Sequence, residues 1–202
     1  SRSTKADIIR DFKVEPMSIR VIGEAAGKEF APRSAADSAS FRKLETNGRP
    51  YILFFNQWRP HKGLPELVRA FEQLKEQRKI PHKLVITGKA SPHFPALAQA
   101  IEQSPARSDI LTPGFVADEE LPRYYAAADV VAFPSHYEGF GLGILEAMQS
   151  RTPVVCSEVS SLPEVAGDGA LFIEPGNVDQ LAQALYRVIS DTLLADQLRE
   201  LG

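Results

Sequence analysis

Cysteine is almost absent from this 202-residue chain: Cys156 stands alone, which excludes any disulfide within it. The thiol lies in the apolar run Pro153-Val-Val-Cys156 and reads as a small buried core group, in a protein expected to occupy a reducing, cytoplasmic compartment. Charge of one sign is lacking too, since 23 Lys and Arg face 26 Asp and Glu for a net charge of -3. That balance supplies no broad basic face to release counterions from a phosphate backbone, so no nucleic-acid partner is expected. Hydrophobic runs are short. Tyr51-Ile-Leu-Phe-Phe55 is typical and falls far below the ~18 apolar residues that span a bilayer, so no transmembrane segment is expected. No Asp-x-Asp pair occurs, and His61, His82, His93 and His136 lack metal-ligand spacing, which argues against a bound metal. Nor does a secretory signal open the chain. The polar start Ser1-Arg-Ser-Thr-Lys-Ala-Asp7 reads as the tail of a preceding element, a helix over Thr4 to Arg10 loosely capped by Thr4 and Asp7.

What is present is a rhythm. With 44% hydrophobic residues the chain can build one core, and from about Arg49 short strand-like runs alternate with longer helical ones. That alternation is the mark of an α/β fold, a parallel sheet with helices on both faces. The strands are expected at Tyr51 to Phe55, Lys83 to Thr87, Asp109 to Thr112, Val130 to Phe133, Pro153 to Cys156 and Ala170 to Ile173. Their apolar character is continuous, as in strands covered on both sides. Helices are expected at Leu64 to Arg78, where Leu64, Leu67, Phe71 and Leu74 share a face, and at Asp118 to Ala128, Phe140 to Gln149 and Val178 to Ile189. Asp118 is expected to cap its helix, and Asn177 or Asp179 to start the last one after the turn Pro175-Gly176-Asn177. Residues Phe30 to Asn47, anchored by Phe41 and Leu44, read as a linker. The short run Ile19 to Ile22 reads as one more strand, in the same sheet or between domains. The division expected is residues 1–48 as the end of a preceding domain with its linker, and 49–202 as a Rossmann-like domain.

The segment richest in chemistry is Phe133-Pro-Ser-His-Tyr-Glu138-Gly-Phe-Gly-Leu-Gly143-Ile-Leu-Glu146. A strand ends there, glycines follow at 139, 141 and 143, and a helix begins. Glycines let backbone N–H groups approach an anion or a sugar closely, and a helix amino end adds partial positive charge. On one continuous helix Glu138 and Glu146 would stand about 12 Å apart along the axis; the glycines break that helix. Glu138 is therefore expected in the loop near the reacting end of a ligand. Glu146, further in, is a good acceptor for two neighbouring ribose hydroxyls. The segment does not match the dinucleotide fingerprint, because position 144 is Ile, and Gly23-Glu-Ala-Ala-Gly27-Lys28-Glu29 fails as a phosphate loop. A second segment, Asn56-Gln-Trp-Arg-Pro-His-Lys-Gly63, follows the first strand of the sheet, where parallel strands bind ligands. Arg59 and Lys62 there suit a diphosphate, one as a planar fork and the other as a point charge.

Taken together these pieces resemble the carboxy-terminal domain of retaining glycosyltransferases of family four (glycosyl transferases group 1), half of the two-domain GT-B architecture. The resemblance spans about residues 50 to 190. It rests on Arg59-x-x-Lys62-Gly63, Leu84-Val-Ile-Thr-Gly88, Gly114-Phe-Val116, Tyr125-Ala-Ala-Ala-Asp129, Phe133-Pro-Ser135, Glu138-x7-Glu146 and Ser161-Leu-Pro-Glu164. It implies transfer of a hexose from a UDP-, GDP- or ADP-sugar to a glycan or lipid-linked acceptor with retention, in cell-envelope or polysaccharide synthesis, without a cofactor or metal. By that analogy Arg59 and Lys62 bind the donor diphosphate. Glu138, with Gly139, Phe140, Gly141, Leu142 and Gly143, holds the sugar, Glu146 the ribose, and the stretch around Val116 the base. Lys89 and His136 lie beside the matched segments. The amino-terminal domain with the acceptor site is expected to be missing, leaving a fragment that binds donor and transfers little. A nucleotide-sugar epimerase and a noncatalytic nucleotide-binding module are the competing readings.

Overall fold

The computed structural model describes residues 1–202. Six parallel strands form one sheet: β1 (Tyr51–Phe54), β2 (Lys83–Thr87), β3 (Ile110–Gly114), β4 (Val130–Phe133), β5 (Val154–Ser157) and β6 (Ala170–Ile173), in the order β3-β2-β1-β4-β5-β6. The expected α/β, Rossmann-like class is the one observed. Side chains alternate across a strand, so each face of the sheet receives its own set. Ile52, Phe54, Leu84 and Ile86 meet Leu64, Leu67 and Phe71 of α3 (Leu64–Gln73) and Leu181, Leu185 and Val188 of α8 (Val178–Ser190). On the other face, Tyr51, Leu53, Val131, Phe133 and Cys156 meet Tyr124 and Tyr125 of α5 (Leu121–Ala127) and Ile144, Ala147 and Met148 of α6 (Leu142–Gln149). Cys156 is fully buried, and burial pushes its thiol up to about 12.

Several expectations are corrected. Residues 30–47 are not an unstructured linker, because α2 (Ala35–Thr46) runs through them, capped by the Ser34 hydroxyl on the Asp37 N–H. One buried ring holds this helix, Phe41 standing edge-on to Tyr124 at 4.9 Å between centroids. Arg42 adds bonds to the Ala127 carbonyl and the Asp129 carboxylate at 2.7 and 2.9 Å. Leu44 is no anchor, at 72% exposed. The run Ile19 to Ile22 pairs with no strand, and Ile22 is 77% exposed. The first helix, α1 (Arg2–Phe12), is capped by Ser1 rather than Thr4.

Bounds shift as well. β1 stops at Phe54, β3 runs from Ile110 to Gly114, and β5 runs from Val154 to Ser157. Beyond Gln73 the third helix widens into a π-turn over Leu74–Arg78, ended by Lys79 at φ 52°. Asp118 caps nothing, since α5 begins only at Leu121. Asn177 does cap α8, accepting from the Gln180 N–H at 3.1 Å. Besides α2, three helices lack a counterpart in the sequence reading: α4 (Pro95–Glu102), α7 (Leu162–Ala166) and α9 (Thr192–Leu201).

Candidate functional site

The strand order reverses between β1 and β4, so the chain leaves their carboxyl ends toward opposite flanks and opens a crevice between them. Both chemistry-bearing loops meet there. The His136 N–H donates to the His61 carbonyl at 2.7 Å, joining the loop after β4 to the loop after β1. Gly63 closes the first loop at φ 69°, and a Cβ there would collide with the Pro134 carbonyl oxygen, so this approach of two backbones requires glycine.

Across that seam the Lys62 ammonium lies 2.6 Å from Glu138 Oε1, with side chains only 15% and 12% exposed. The Ser135 hydroxyl donates to the same carboxylate oxygen at 2.8 Å. Two further serines fix the Glu138 backbone: its N–H donates to Ser160 Oγ at 2.9 Å, and Ser161 Oγ donates to its carbonyl at 3.0 Å. Anchored through side chain and main chain, this carboxylate has little freedom to reorient. Arg59 does not join this pair. It is exposed at the side of the crevice, its guanidinium 5.9 Å from the centre of the Phe94 ring.

The three glycines of the next loop do different work. Gly139 is exposed and a Cβ on it would meet nothing, but its carbonyl accepts from Ser1 Oγ at 3.1 Å and Thr4 Oγ1 at 2.7 Å on the first turn of α1. The amino end of α1 is further held by Glu164, which takes the Arg2 N–H at 2.7 Å. Gly141 sits at φ 100° immediately before α6, where a Cβ would press on Leu162. Gly143, in the first turn of α6, leaves room for the Phe133 ring and the Tyr125 hydroxyl, each 2.9 Å from where its Cβ would be. The helix starts at Leu142 rather than Phe140, without a side-chain cap; the Ile144 N–H donates to the Gly141 carbonyl at 2.9 Å, and the Leu142 and Gly143 N–H groups before it point out of the helix end. Phe140 is half-buried and Leu142 exposed.

Glu146 follows one turn into α6 and is half-buried. Burial raises its carboxyl above the ordinary range and the Glu29 and Asp118 carboxylates add to that, while the nearby Tyr125 hydroxyl works the other way. Asp118 also borders a cavity of ≈ 650 Å³ at the carboxyl ends of β1, β2 and β3. Val116 and the 66%-exposed Phe115 form one wall, and Asn56 to Arg59 with Gly88 to Pro92 form the others. Lys89 stands 5.7 Å from the centre of the Phe115 ring. Trp58 fixes the floor by donating its indole N–H to the Thr87 carbonyl at 2.9 Å.

Lys62 and Glu138 thus meet at the seam between the two loops, the glycine loop leads from Glu138 into α6, and Arg59 and Val116 line the cavity at the ends of β1, β2 and β3. Ser135, Ser160 and Ser161 hold Glu138, Trp58 and Phe115 line the cavity, and no spacing rule marks such serines or aromatics in advance. Nowhere do three His, Cys, Asp or Glu side chains gather as a metal site, and no helix is long and apolar enough to cross a membrane.

Residues 36–202 match the family model described as Glycosyl transferases group 1. The O-antigen chain mannosyltransferase B of Escherichia coli is 34% identical over 200 residues, covering 98% of this chain and 51% of that protein. The MMP alpha-(1->4)-mannosyltransferase of Mycolicibacterium hassiacum is 34% identical over 207 residues, covering 100% and 46%. The chain therefore spans about half the length of these relatives. Among solved structures, the C-terminal domain of a glycosyl transferase group 1 family protein (LpcC) from Francisella tularensis superposes with a TM-score of 0.73 and 30% identity, over 87% of this chain and 93% of that one.

Proposed function

Because the chain belongs to the group 1 glycosyl transferases, we propose that it is the donor-binding half of a hexosyltransferase that moves a sugar from a nucleoside diphosphate to a glycan or lipid-linked acceptor with retention. The observation that carries this reading is the Lys62–Glu138 pair at the strand-order reversal, between an uncapped helix start and a cavity large enough for a nucleoside. The base lies in the cavity against Val116 and Phe115. The ribose hydroxyls donate to Glu146, whose neighbour Asp118 borders that same cavity.

The diphosphate spans from Arg59 to Lys62 at the amino end of α6. As the bond from the anomeric carbon to the diphosphate oxygen breaks, negative charge collects on the leaving oxygen. An ammonium with three donors stabilises it there while still touching Glu138. Glu138 positions the sugar and supports positive charge at the anomeric carbon; a nucleophile role is not assigned to it. Two mannosyltransferases among the relatives favour a mannosyl donor and a polysaccharide pathway. The acceptor site belongs to the other half of the whole protein, so this piece binds donor and transfers little. A cytoplasmic setting agrees with the single buried thiol.

Calorimetric titration of the chain with UDP, GDP and ADP, repeated with Glu146→Ala and Arg59→Ala, tests the reading. Binding of one nucleotide, weakened by both substitutions, supports it and names the base. A folded chain that binds none of the three overturns it.

A further inference from the structure

Tyr125 is fully buried in α5, with Phe30 edge-on at 5.6 Å and Phe55 tilted against it at 5.8 Å between ring centres. Phenylalanine would suit such surroundings. The hydroxyl nevertheless reaches the underside of α6, 2.9 Å from where a Cβ of Gly143 would lie, and has no hydrogen-bond partner. A buried hydroxyl without an acceptor is uncommon and calls for an explanation. The charged group it faces is Glu146, three residues after Gly143 on the same face of the helix. Glycine at 143 is what lets the phenol come so close.

We propose that Tyr125 is a positioning residue for donor binding: in the donor-bound state its hydroxyl donates to the Glu146 carboxylate from below and turns the carboxylate outward, where both ribose hydroxyls can donate to it. This rests on the assignment of Glu146 to the ribose. The carboxylate must be ionised to accept from a diol and the phenol together. Three groups face it from the elements packed around α6: Glu29 from the segment before α2, Asp118 from the loop before α5, and Tyr125. Burial and the two carboxylates favour its protonated form, and Tyr125 alone favours the ionised one. The phenol therefore sets the direction of the ribose acceptor and opposes its protonation.

The test is Tyr125→Phe in the 202-residue chain, titrated with whichever of UDP, GDP and ADP the native chain binds and with its 2′-deoxy counterpart. The expected result is an affinity about five- to tenfold lower for the ribonucleotide, a much smaller loss for the deoxynucleotide, and an unchanged or raised thermal midpoint. The acid limb of the affinity–pH profile moves to higher pH, because without the phenol Glu146 takes up its proton sooner as pH falls. In a Glu146→Gln background Tyr125→Phe has no further effect. Native affinity and an unmoved acid limb in Tyr125→Phe, with Glu146→Gln weakening binding, would overturn the role of Tyr125 and leave the donor site standing. If Glu146→Gln leaves ribonucleotide affinity intact, the ribose assignment itself falls, and this inference with it.

Discussion

Lys62 and Glu138 come from loops on opposite sides of the strand-order reversal, yet their charged atoms stand 2.6 Å apart with most of both side chains out of water. Removing one partner strands the other, and the cost of a partly buried, unpaired charge is about 1–3 kcal/mol, below the range for fully buried pairs. Lys62→Ala should lower the denaturant midpoint accordingly and weaken nucleoside diphosphate binding. Glu138→Gln keeps its size and its bond from Ser135. It should leave affinity for the bare nucleotide near native and reduce affinity for the nucleotide sugar, both read by calorimetry.

Two glycines of the crevice make opposite predictions. Gly63 has φ 69° and the Pro134 carbonyl oxygen where a Cβ would go, whereas Gly139 has open space. Gly63→Ala combines left-handed strain with a backbone collision and should cost about 2 kcal/mol or more. Nucleotide binding should fall with it, since the seam between the loops must open. Gly139→Ala should melt within about 1 °C of the native chain; a comparable loss in both variants would contradict this account of the loop.

Helix α2 depends on one ring. Phe41→Ala removes a buried aromatic and its edge-on contact with Tyr124, and should destabilise by about 3 kcal/mol. Leu44→Ala, three residues on but exposed, should change stability by less than about 0.5 kcal/mol. Urea denaturation of the two variants decides whether the segment is structural.

Acid should reveal a different pair of contacts. Burial alone would raise the Asp109 carboxyl, but hydrogen bonds from Lys75 and Lys83 outweigh it and hold the group below its ordinary value. A depressed native value contributes stability that is complete above the unfolded pKa of about 3.9 and is lost as pH falls through the native one. In Asp109→Asn the stability–pH curve below pH 4 should be flatter than in the native chain, as measured by urea midpoints at a series of pH values.

The sheet was legible in the sequence because strands buried on both faces have to be apolar throughout; all six were located within a residue or two. The long helices α3 and α8 were legible because each keeps a full apolar stripe. Helix α2 was hidden because a single ring does the anchoring, so its pattern resembles that of a loop. The Ile19 to Ile22 run misled for the converse reason, being apolar without anything to pair with. At the candidate site, the glutamates, the glycines and the two basic residues could be singled out from residue type and order. What could not be recognised was who partners whom. Lys62 turning to Glu138 while Arg59 stays at the rim depends on loops 76 residues apart, and the serines behind Glu138 act through main-chain contacts available to many sequences.

The Gly139 carbonyl is gripped from outside by two hydroxyls of α1, and Glu164 holds the same helix end to the start of α7. A loop rich in glycine has little stiffness of its own, so its outer turn takes its shape from a splint more than 130 positions away in the chain. With bonds no longer than 3.1 Å at the joint, there is little slack between helix and loop. Any displacement of α1 would therefore be passed directly to the Gly139 backbone, with Glu164 coupling it to α7 as well.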